Sequence, residues 1–94
     1  MKRNFLKKSS INAFNMSQAE VLITMLMEVF NISRDEIEDD ATPDDIESWT
    51  SVSHMDLMAR FEDTFGLELD VEEITEMDSI GAIKDALKNH GIEI

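Results

Sequence analysis

Residues 45–66 constrain the fold of this chain more than any other stretch. From Thr50 onward, apolar residues recur at the three- and four-residue spacing of one helix face, with acidic residues between them. Thr50 is a suitable N-cap, because its hydroxyl can accept a hydrogen bond from a backbone N–H of the first turn. Gly66 stands where a helix can end in the left-handed conformation. The stretch therefore predicts a loop and then a helix of about four turns. Its apolar positions are Met55, Leu57, Met58, Phe61 and Phe65.

An earlier segment carries a second helix signal. Ser17, followed three residues later by Glu20, has the spacing of a capping box. A wide apolar stripe follows, which predicts a helix that is buried among others and ends near Asn31. The stripe consists of Leu22, Leu26, Val29 and Phe30, widened by Val21, Ile23, Met25 and Met27.

Two shorter helical segments are predicted after Gly66. Asp70 can cap a single turn over residues 71–75, which we expect to contribute Val71 and Ile74 to the core. Asp78 or Ser79 then begins a last helix that runs to about residue 89 and is ended by Gly91. Its inward positions are Ile80, Ile83 and Leu87.

The connection over residues 32–48 is long for so small a chain. Pro43 and several Asp pairs prevent a long helix there, and three isoleucines are expected to hold the connection against the core. These are Ile32, Ile37 and Ile46. The acidic residues lack the spacing of a calcium loop, so we predict no metal site. The predicted class is all-α: a small antiparallel bundle of three main helices and one short helix.

Composition limits the chain further. Its 94 residues allow one small domain, and the absence of cysteine excludes disulfides and thiolate chemistry. No apolar run approaches the length of a membrane span. Residues 1–15 are basic and without acid, so we expect a disordered tail; a start at Met16 and a targeting peptide are the alternatives. Residues 16–94 form the predicted helical domain.

Charge narrows the choice of partners. Residues 16–94 hold all 21 acidic residues and only four basic ones, a net charge of −17. Such a domain is repelled by nucleic acid and by anionic membranes, and is attracted to basic patches on proteins. Acidity that serves only solubility is the alternative interpretation. We therefore expect protein partners, no nucleic acid and no membrane.

Catalysis is not predicted. Ser51 and His54 stand three residues apart, which invites a hydrolase interpretation, but no carboxylate is plainly placed to orient the imidazole. The three glycines are not clustered, so a phosphate-binding loop is also excluded. A capping serine without further function is the simplest interpretation of Ser51 alone.

The motif around Ser51 resembles that of the acyl carrier proteins. That family has Asp-Ser-Leu at the start of its second helix, then an acidic amphipathic helix ending in Phe-Gly or similar. The corresponding residues here are Thr50-Ser51-Val52, then Met55-Asp56-Leu57, then residues 61–66, FEDTFG. Trp49 before the motif also occurs in free-standing members. The resemblance covers about residues 17–90, and it departs at Thr50, which stands where the family has Asp.

The resemblance implies a carrier function rather than an enzyme. A phosphopantetheinyl transferase would attach 4′-phosphopantetheine from coenzyme A to Ser51. The thiol of that arm would carry acyl or related groups as thioesters to biosynthetic enzymes of a fatty acid, polyketide or other specialised pathway. We expect a cytoplasmic monomer that meets acyl-loading and acyl-transferring enzymes through their basic docking patches. Ser48 and Ser53 are poorer attachment sites.

The second predicted helix would also be the partner-binding surface. By analogy with the family, an exposed apolar strip with acidic residues around it would meet Arg and Lys of partner enzymes. The predicted residues are Val52, Met55, Asp56, Ala59, Glu62 and Asp63. Arg60 is a departure, because it puts a positive charge where the family often has a small residue, and it suggests specialised partners.

Two other functions are compatible with parts of the sequence. The first is a carrier-like helical adaptor without a prosthetic group, which the replacement of Asp by Thr50 favours. The second is an acidic helical protein that mimics nucleic acid and blocks a basic cleft, which the overall charge favours.

Overall fold

The computed structural model describes residues 16–94, and every regular element in that range is helical. Four α-helices follow one another, with a single 3₁₀ turn at Arg34–Glu36 in the connection between the first two. They are α1 (Gln18–Phe30), α2 (Ser51–Phe65), α3 (Val71–Glu76) and α4 (Ile80–Asn89). The predicted class, three main helices and one short helix, is confirmed. The tail expected at residues 1–15 lies outside the described residues, and within residues 16–94 no helix has the length and apolarity of a membrane span.

The helix boundaries follow from local capping. Each helix is preceded by an extended residue whose side-chain oxygen accepts a hydrogen bond from a backbone N–H of the first turn. These residues are Ser17, Thr50, Asp70 and Ser79. Of the two residues considered for the last helix, Ser79 is therefore the cap. At α1 only half of the predicted capping box forms, because the Glu20 carboxylate accepts a hydrogen bond from Arg34 at 2.8 Å instead.

The core lies between the long helices and the connection that joins them. Met58 and Phe61 of α2 are at most 2% exposed, and Phe30 at the end of α1 stacks on Trp49 with ring centroids 5.0 Å apart. Burial of these side chains is the main favourable contribution to folding. The other residues of the core that are at most 1% exposed are Leu22, Leu26, Leu57, Met77, Ile80, Ile83 and Leu87.

The long connection is fixed to α4 as well as to the core. The three predicted anchors Ile32, Ile37 and Ile46 all pack against the core, with Ile46 buried. The backbone N–H of Ile80 donates to the Ala41 carbonyl at 3.0 Å, and that of Gly81 donates to the Asp39 carbonyl at 2.7 Å. These two bonds use N–H groups of the first turn of α4 that have no partner within the helix. The middle of the connection is thereby tied to the start of α4.

The prediction that Val71 enters the core is wrong. Val71 is 77% exposed, and no residue of α3 is fully buried. The Asp70 cap accepts from the Glu73 N–H at 2.9 Å and fixes Val71 as the first residue of the helix. Ile74 and Met77 then define the side of this segment that meets the core, and Val71 lies beyond the part that the core covers.

Candidate functional site at the start of α2

The loop that precedes α2 and its first turn form a closed set of hydrogen bonds. The Thr50 hydroxyl accepts from the Ser53 N–H at 3.2 Å, and the Ser53 hydroxyl accepts from the Thr50 N–H at 2.8 Å. Each side chain therefore satisfies a backbone group of the other, which is the capping-box arrangement. Thr50 keeps the capping function that an aspartate would have at this position, without its negative charge.

The three serines of this segment differ in what their hydroxyls bind. Ser48 donates to the Phe30 carbonyl at 2.5 Å, and Ser53 donates to the Ser48 carbonyl at 2.7 Å. Ser51 is exposed, and within residues 16–94 its hydroxyl has no hydrogen-bond partner. Ser51 is therefore the one serine of the three that can be modified without the loss of a hydrogen bond that holds the segment together.

The electrostatics at Ser51 favour an attached phosphate. Ser51 is the first residue of a helix of 15 residues, so the partial positive charge of the helix N-terminus lies next to its hydroxyl. The first turn of α2 contains no acidic residue that would repel a phosphate. The acidic residues of α2 begin at Asp56, more than one turn later.

Ser51 borders a groove between the connection, α2 and α3. The groove has a volume of about 540 Å³, and Ser51 lies along it beside Thr50 and Met55. Its remaining wall is mixed in character, with apolar, imidazole, hydroxyl and carboxylate side chains from four segments: the connection, α2, α3 and the residues that follow α3. These are Pro43, Trp49, His54, Ile74, Thr75, Met77 and Asp78.

His54 is fully engaged in hydrogen bonds and does not serve Ser51 as a base. Its Nδ1 lies 2.9 Å from Nε1 of Trp49, and its Nε2 lies 2.8 Å from the Ile74 carbonyl oxygen. An indole N–H only donates and a carbonyl only accepts, so Nδ1 is the acceptor and Nε2 carries the proton. Neither ring nitrogen is left to take a proton from the serine, which argues against the hydrolase interpretation.

All six predicted partner-binding residues lie on the exposed surface of α2. Val52 is 80% exposed and Met55 is 52% exposed, which is unusual for large apolar side chains and gives an apolar strip beside Ser51. Spacings of three and four residues put Ala59 and Asp63 on the same side of the helix. The structure thus presents the predicted surface, and its use by partners stays a prediction.

Two of the predicted acidic residues also have internal partners, which the sequence did not reveal. Asp56 pairs with Arg60 at 3.3 Å, one turn along α2, and Arg60 also reaches Glu28 of α1 at 3.5 Å. Glu62 accepts a hydrogen bond from the Leu69 N–H at 2.9 Å and so holds the segment between α2 and α3. Arg60 therefore reduces the acidity of the surface at its centre.

Sequence reasoning missed the chain of hydrogen bonds through His54. In the sequence, Trp49 stands out only for its position before the motif, and His54 only as a candidate base. The indole–imidazole pair spans five residues across a helix start, and its last member is a backbone carbonyl of α3. Every residue has a backbone carbonyl, so the sequence does not indicate which one His54 binds. Only the packing of α3 shows that it is the carbonyl of Ile74.

Comparison with known proteins identifies the family. The family model for the phosphopantetheine attachment site matches residues 20–87, which is 68 of the 94 residues. The chain belongs to this family. It is thus a carrier protein of the acyl carrier protein family, whose members carry a covalently attached 4′-phosphopantetheine. No curated protein matches the chain closely enough to count as a relative.

The residues at the start of α2 fit such a group. A phosphodiester needs an accessible hydroxyl and a site that tolerates negative charge. Ser51 has an exposed hydroxyl, and the N-terminus of α2, which has no acidic residue in its first turn, is an environment that tolerates negative charge. Within residues 16–94 no group of three or more His, Asp or Glu side chains is arranged to hold a metal ion.

Proposed function

We propose that Ser51 carries the 4′-phosphopantetheine arm and that the chain presents acyl or related intermediates to biosynthetic enzymes of a fatty acid, polyketide or other specialised pathway. The observation that carries this proposal is the exposed Ser51 hydroxyl at the first position of α2, which has no hydrogen-bond partner within residues 16–94. Thr50, Ser48 and Ser53 all have hydroxyls that bind other groups within residues 16–94. Of these four hydroxyl residues, Ser51 is the one that is exposed and makes no hydrogen bond within the described part of the chain.

The residues of the chain position the arm and take no part in its chemistry. When attached, the arm supplies a thiol that holds the cargo as a thioester. Thr50 and Ser53 fix the first turn of α2, so Ser51 is presented from a rigid helix end to a phosphopantetheinyl transferase. His54 is bound on both sides, so neither ring nitrogen is left to act as a base, and this supports a carrier rather than an enzyme.

Partner recognition is proposed to use the exposed surface of α2. Val52 and Met55 would fill apolar depressions of an enzyme next to its entrance for the arm, and Asp63 would meet its basic residues. Complementary charge speeds association more than it strengthens binding, which suits a carrier that must leave each enzyme quickly. The Arg60–Asp56 pair modifies this surface and favours a specialised set of partners. We further propose that the protein acts as a monomer in the cytoplasm.

The proposal is tested by intact mass after incubation with coenzyme A and a transferase of broad specificity. The wild-type chain is expected to gain the mass of one phosphopantetheinyl group. Ser51→Ala is a clean control, because the Ser51 hydroxyl makes no hydrogen bond within the described residues and its loss should leave the circular dichroism unchanged. A variant that is folded and still modified would contradict the assignment.

A carrier-like adaptor without a prosthetic group remains the second candidate, and Thr50 is the observation that favours it. The cap at this position retains its hydrogen bonds but not the negative charge that the family pattern has there. Replacement of Ser51 by Ala in cells separates the two candidates. A carrier loses its pathway product in that strain, whereas an adaptor keeps it.

A further inference from the structure

Helix α3 is the least buried of the four α-helices in the described residues. It has six residues, none of them fully buried, and its Val71 is 77% exposed. Ile74 is its one apolar residue packed against the core. So short a helix has little stability of its own and depends on its tertiary contacts. The position of α3, and with it one wall of the groove beside Ser51, therefore depends on a few hydrogen bonds.

Both histidines of the chain bind α3, at consecutive residues. His54 of α2 donates from Nε2 to the Ile74 carbonyl at 2.8 Å. His90, the residue that follows α4, places its Nε2 2.6 Å from Oε2 of Glu73. α3 is thus held from α2 on one side and from the end of α4 on the other.

The two contacts respond to a proton in opposite ways. A proton on His90 gives it a positive charge next to the Glu73 carboxylate and strengthens that pair. A proton on His54 can only be added at Nδ1, which is the acceptor of the Trp49 indole N–H. Two donors would then face each other over 2.9 Å, and any rotation of the imidazole that relieves this also moves Nε2 away from the Ile74 carbonyl.

We propose that His54 is a positioning residue that holds α3 beside Ser51 only while its imidazole is neutral, so that protonation of His54 releases α3 and opens the groove. The neutral ring is locked in the Nε2–H form by Trp49, which is 5% exposed and stacks on it with centroids 6.0 Å apart. The importance of this groove for the cargo rests on the proposed function of Ser51. The contact itself does not, because it exists in the unmodified chain.

Few charges near His54 oppose or imitate this effect. From the connection and the start of α2, the groove receives Pro43, Thr50 and Ser51, none of which titrates near neutral pH. α3 contributes Ile74 and Thr75, and its neighbouring Glu73 is bound to His90. The segment between α3 and α4 contributes Asp78, the one carboxylate among the residues that line the groove.

Trp49 provides a direct readout. The chain has one Trp and no Tyr, so its near-ultraviolet fluorescence comes from Trp49, which is the hydrogen-bond partner of His54. Titration of the full, unmodified chain from about pH 8 to about pH 5 should change the emission along a curve for one proton, because protonation of His54 breaks its bond to the indole. His90→Gln should retain this transition, and His54→Gln, which keeps a side-chain amide at the position, should abolish it.

Hydrogen exchange tests the movement of α3 separately. Between the two ends of the same titration, the protection factors of the α3 amides should fall about five- to tenfold in the wild type, the factor expected when one net hydrogen bond is lost. Those of α1 should stay constant.

Three results would overturn the proposal: a His54→Gln variant that titrates like the wild type, α3 protection that does not depend on pH, or imidazole nitrogen shifts that place the proton on Nδ1 in the neutral ring. The nitrogen shifts need no variant, so the test survives if His54→Gln fails to fold. None of these measurements depends on whether Ser51 accepts an arm.

Discussion

Removal of the Thr50 hydroxyl should destabilise the protein by about 1 kcal/mol, the usual cost of an N-cap replaced by alanine. In Thr50→Ala the N–H of Ser53 loses the acceptor that it has at 3.2 Å, at the start of the longest helix among the described residues. The backbone N–H of Thr50 keeps its bond to the Ser53 hydroxyl, so only one of the two bonds of the capping box is lost. The cost is therefore expected near the centre of the usual range and not at its upper end.

Thr50→Asp separates the cap from its charge. A carboxylate accepts the same N–H, and its negative charge at the N-terminus of α2 adds about 0.3–1 kcal/mol of stability at low ionic strength. The aspartate variant should therefore be at least as stable as the wild type. Because a carboxylate at this position matches the family pattern, a transferase should modify the variant no more slowly than the wild type.

Urea unfolding followed by far-ultraviolet circular dichroism measures both variants on one scale. In thermal unfolding of the same variants, a loss of about 1 kcal/mol corresponds to a fall in Tm of roughly 4–8 °C for a domain of this size. The capping argument fails if Thr50→Ala is as stable as the wild type. It also fails if Thr50→Asp loses as much stability as Thr50→Ala, because the two variants would then share a defect unrelated to the acceptor.

Three further predictions concern the contacts that hold the fold. The hydrogen bond and the charge of Lys84 hold the pKa of Asp39 below its ordinary value. This carboxylate therefore contributes stability at neutral pH that is lost as the pH falls through the lowered pKa. Lys84→Met should raise the pKa of Asp39 in an NMR titration, and an unchanged pKa would contradict the pairing. Gly66 has φ +67° and open space where a Cβ would lie, so Gly66→Ala should cost about 1 kcal/mol through backbone strain alone, measured by urea unfolding; an unchanged midpoint would refute this. Glu62→Gln weakens the acceptor of the Leu69 N–H and should increase hydrogen exchange at that amide several-fold, and equal exchange in both proteins would show that the bond is dispensable.

The parts of the fold that depend on neighbouring residues could be predicted from the sequence. Caps such as Ser17 and Thr50 act within one turn of the chain, so their residue type and spacing suffice to locate a helix start. The left-handed ends at Asn31 and Gly66 are local in the same way. The apolar spacing of α4 likewise identified its inward side, because one face of that helix is buried.

Contacts that join distant segments could not be predicted. The direction of Val71 depends on where the core ends, and a helix of six residues is too short for its periodicity to decide this. The role of His54 depends on the Ile74 carbonyl, twenty residues later in the chain. The difference between Ser51 and its neighbours is visible only in the structure, where Ser48 and Ser53 donate to backbone carbonyls and Ser51 has no partner within residues 16–94. Residue type alone left the three serines close to equivalent, and the family resemblance made the choice among them.

Localisation of the modification is the decisive experiment for the carrier assignment. Trypsin leaves Ser48, Ser51 and Ser53 in one peptide, because no Lys or Arg lies between Arg34 and Arg60. The modified side chain must therefore be assigned by tandem mass spectrometry with a fragmentation method that preserves the phosphodiester. We predict that the phosphopantetheinyl group is found on Ser51 alone, with Ser48 and Ser53 unmodified. Modification at Ser48 or Ser53 in the folded protein, or a wild-type chain that stays unmodified with every transferase that modifies a control carrier, would contradict the assignment of Ser51 as the attachment site.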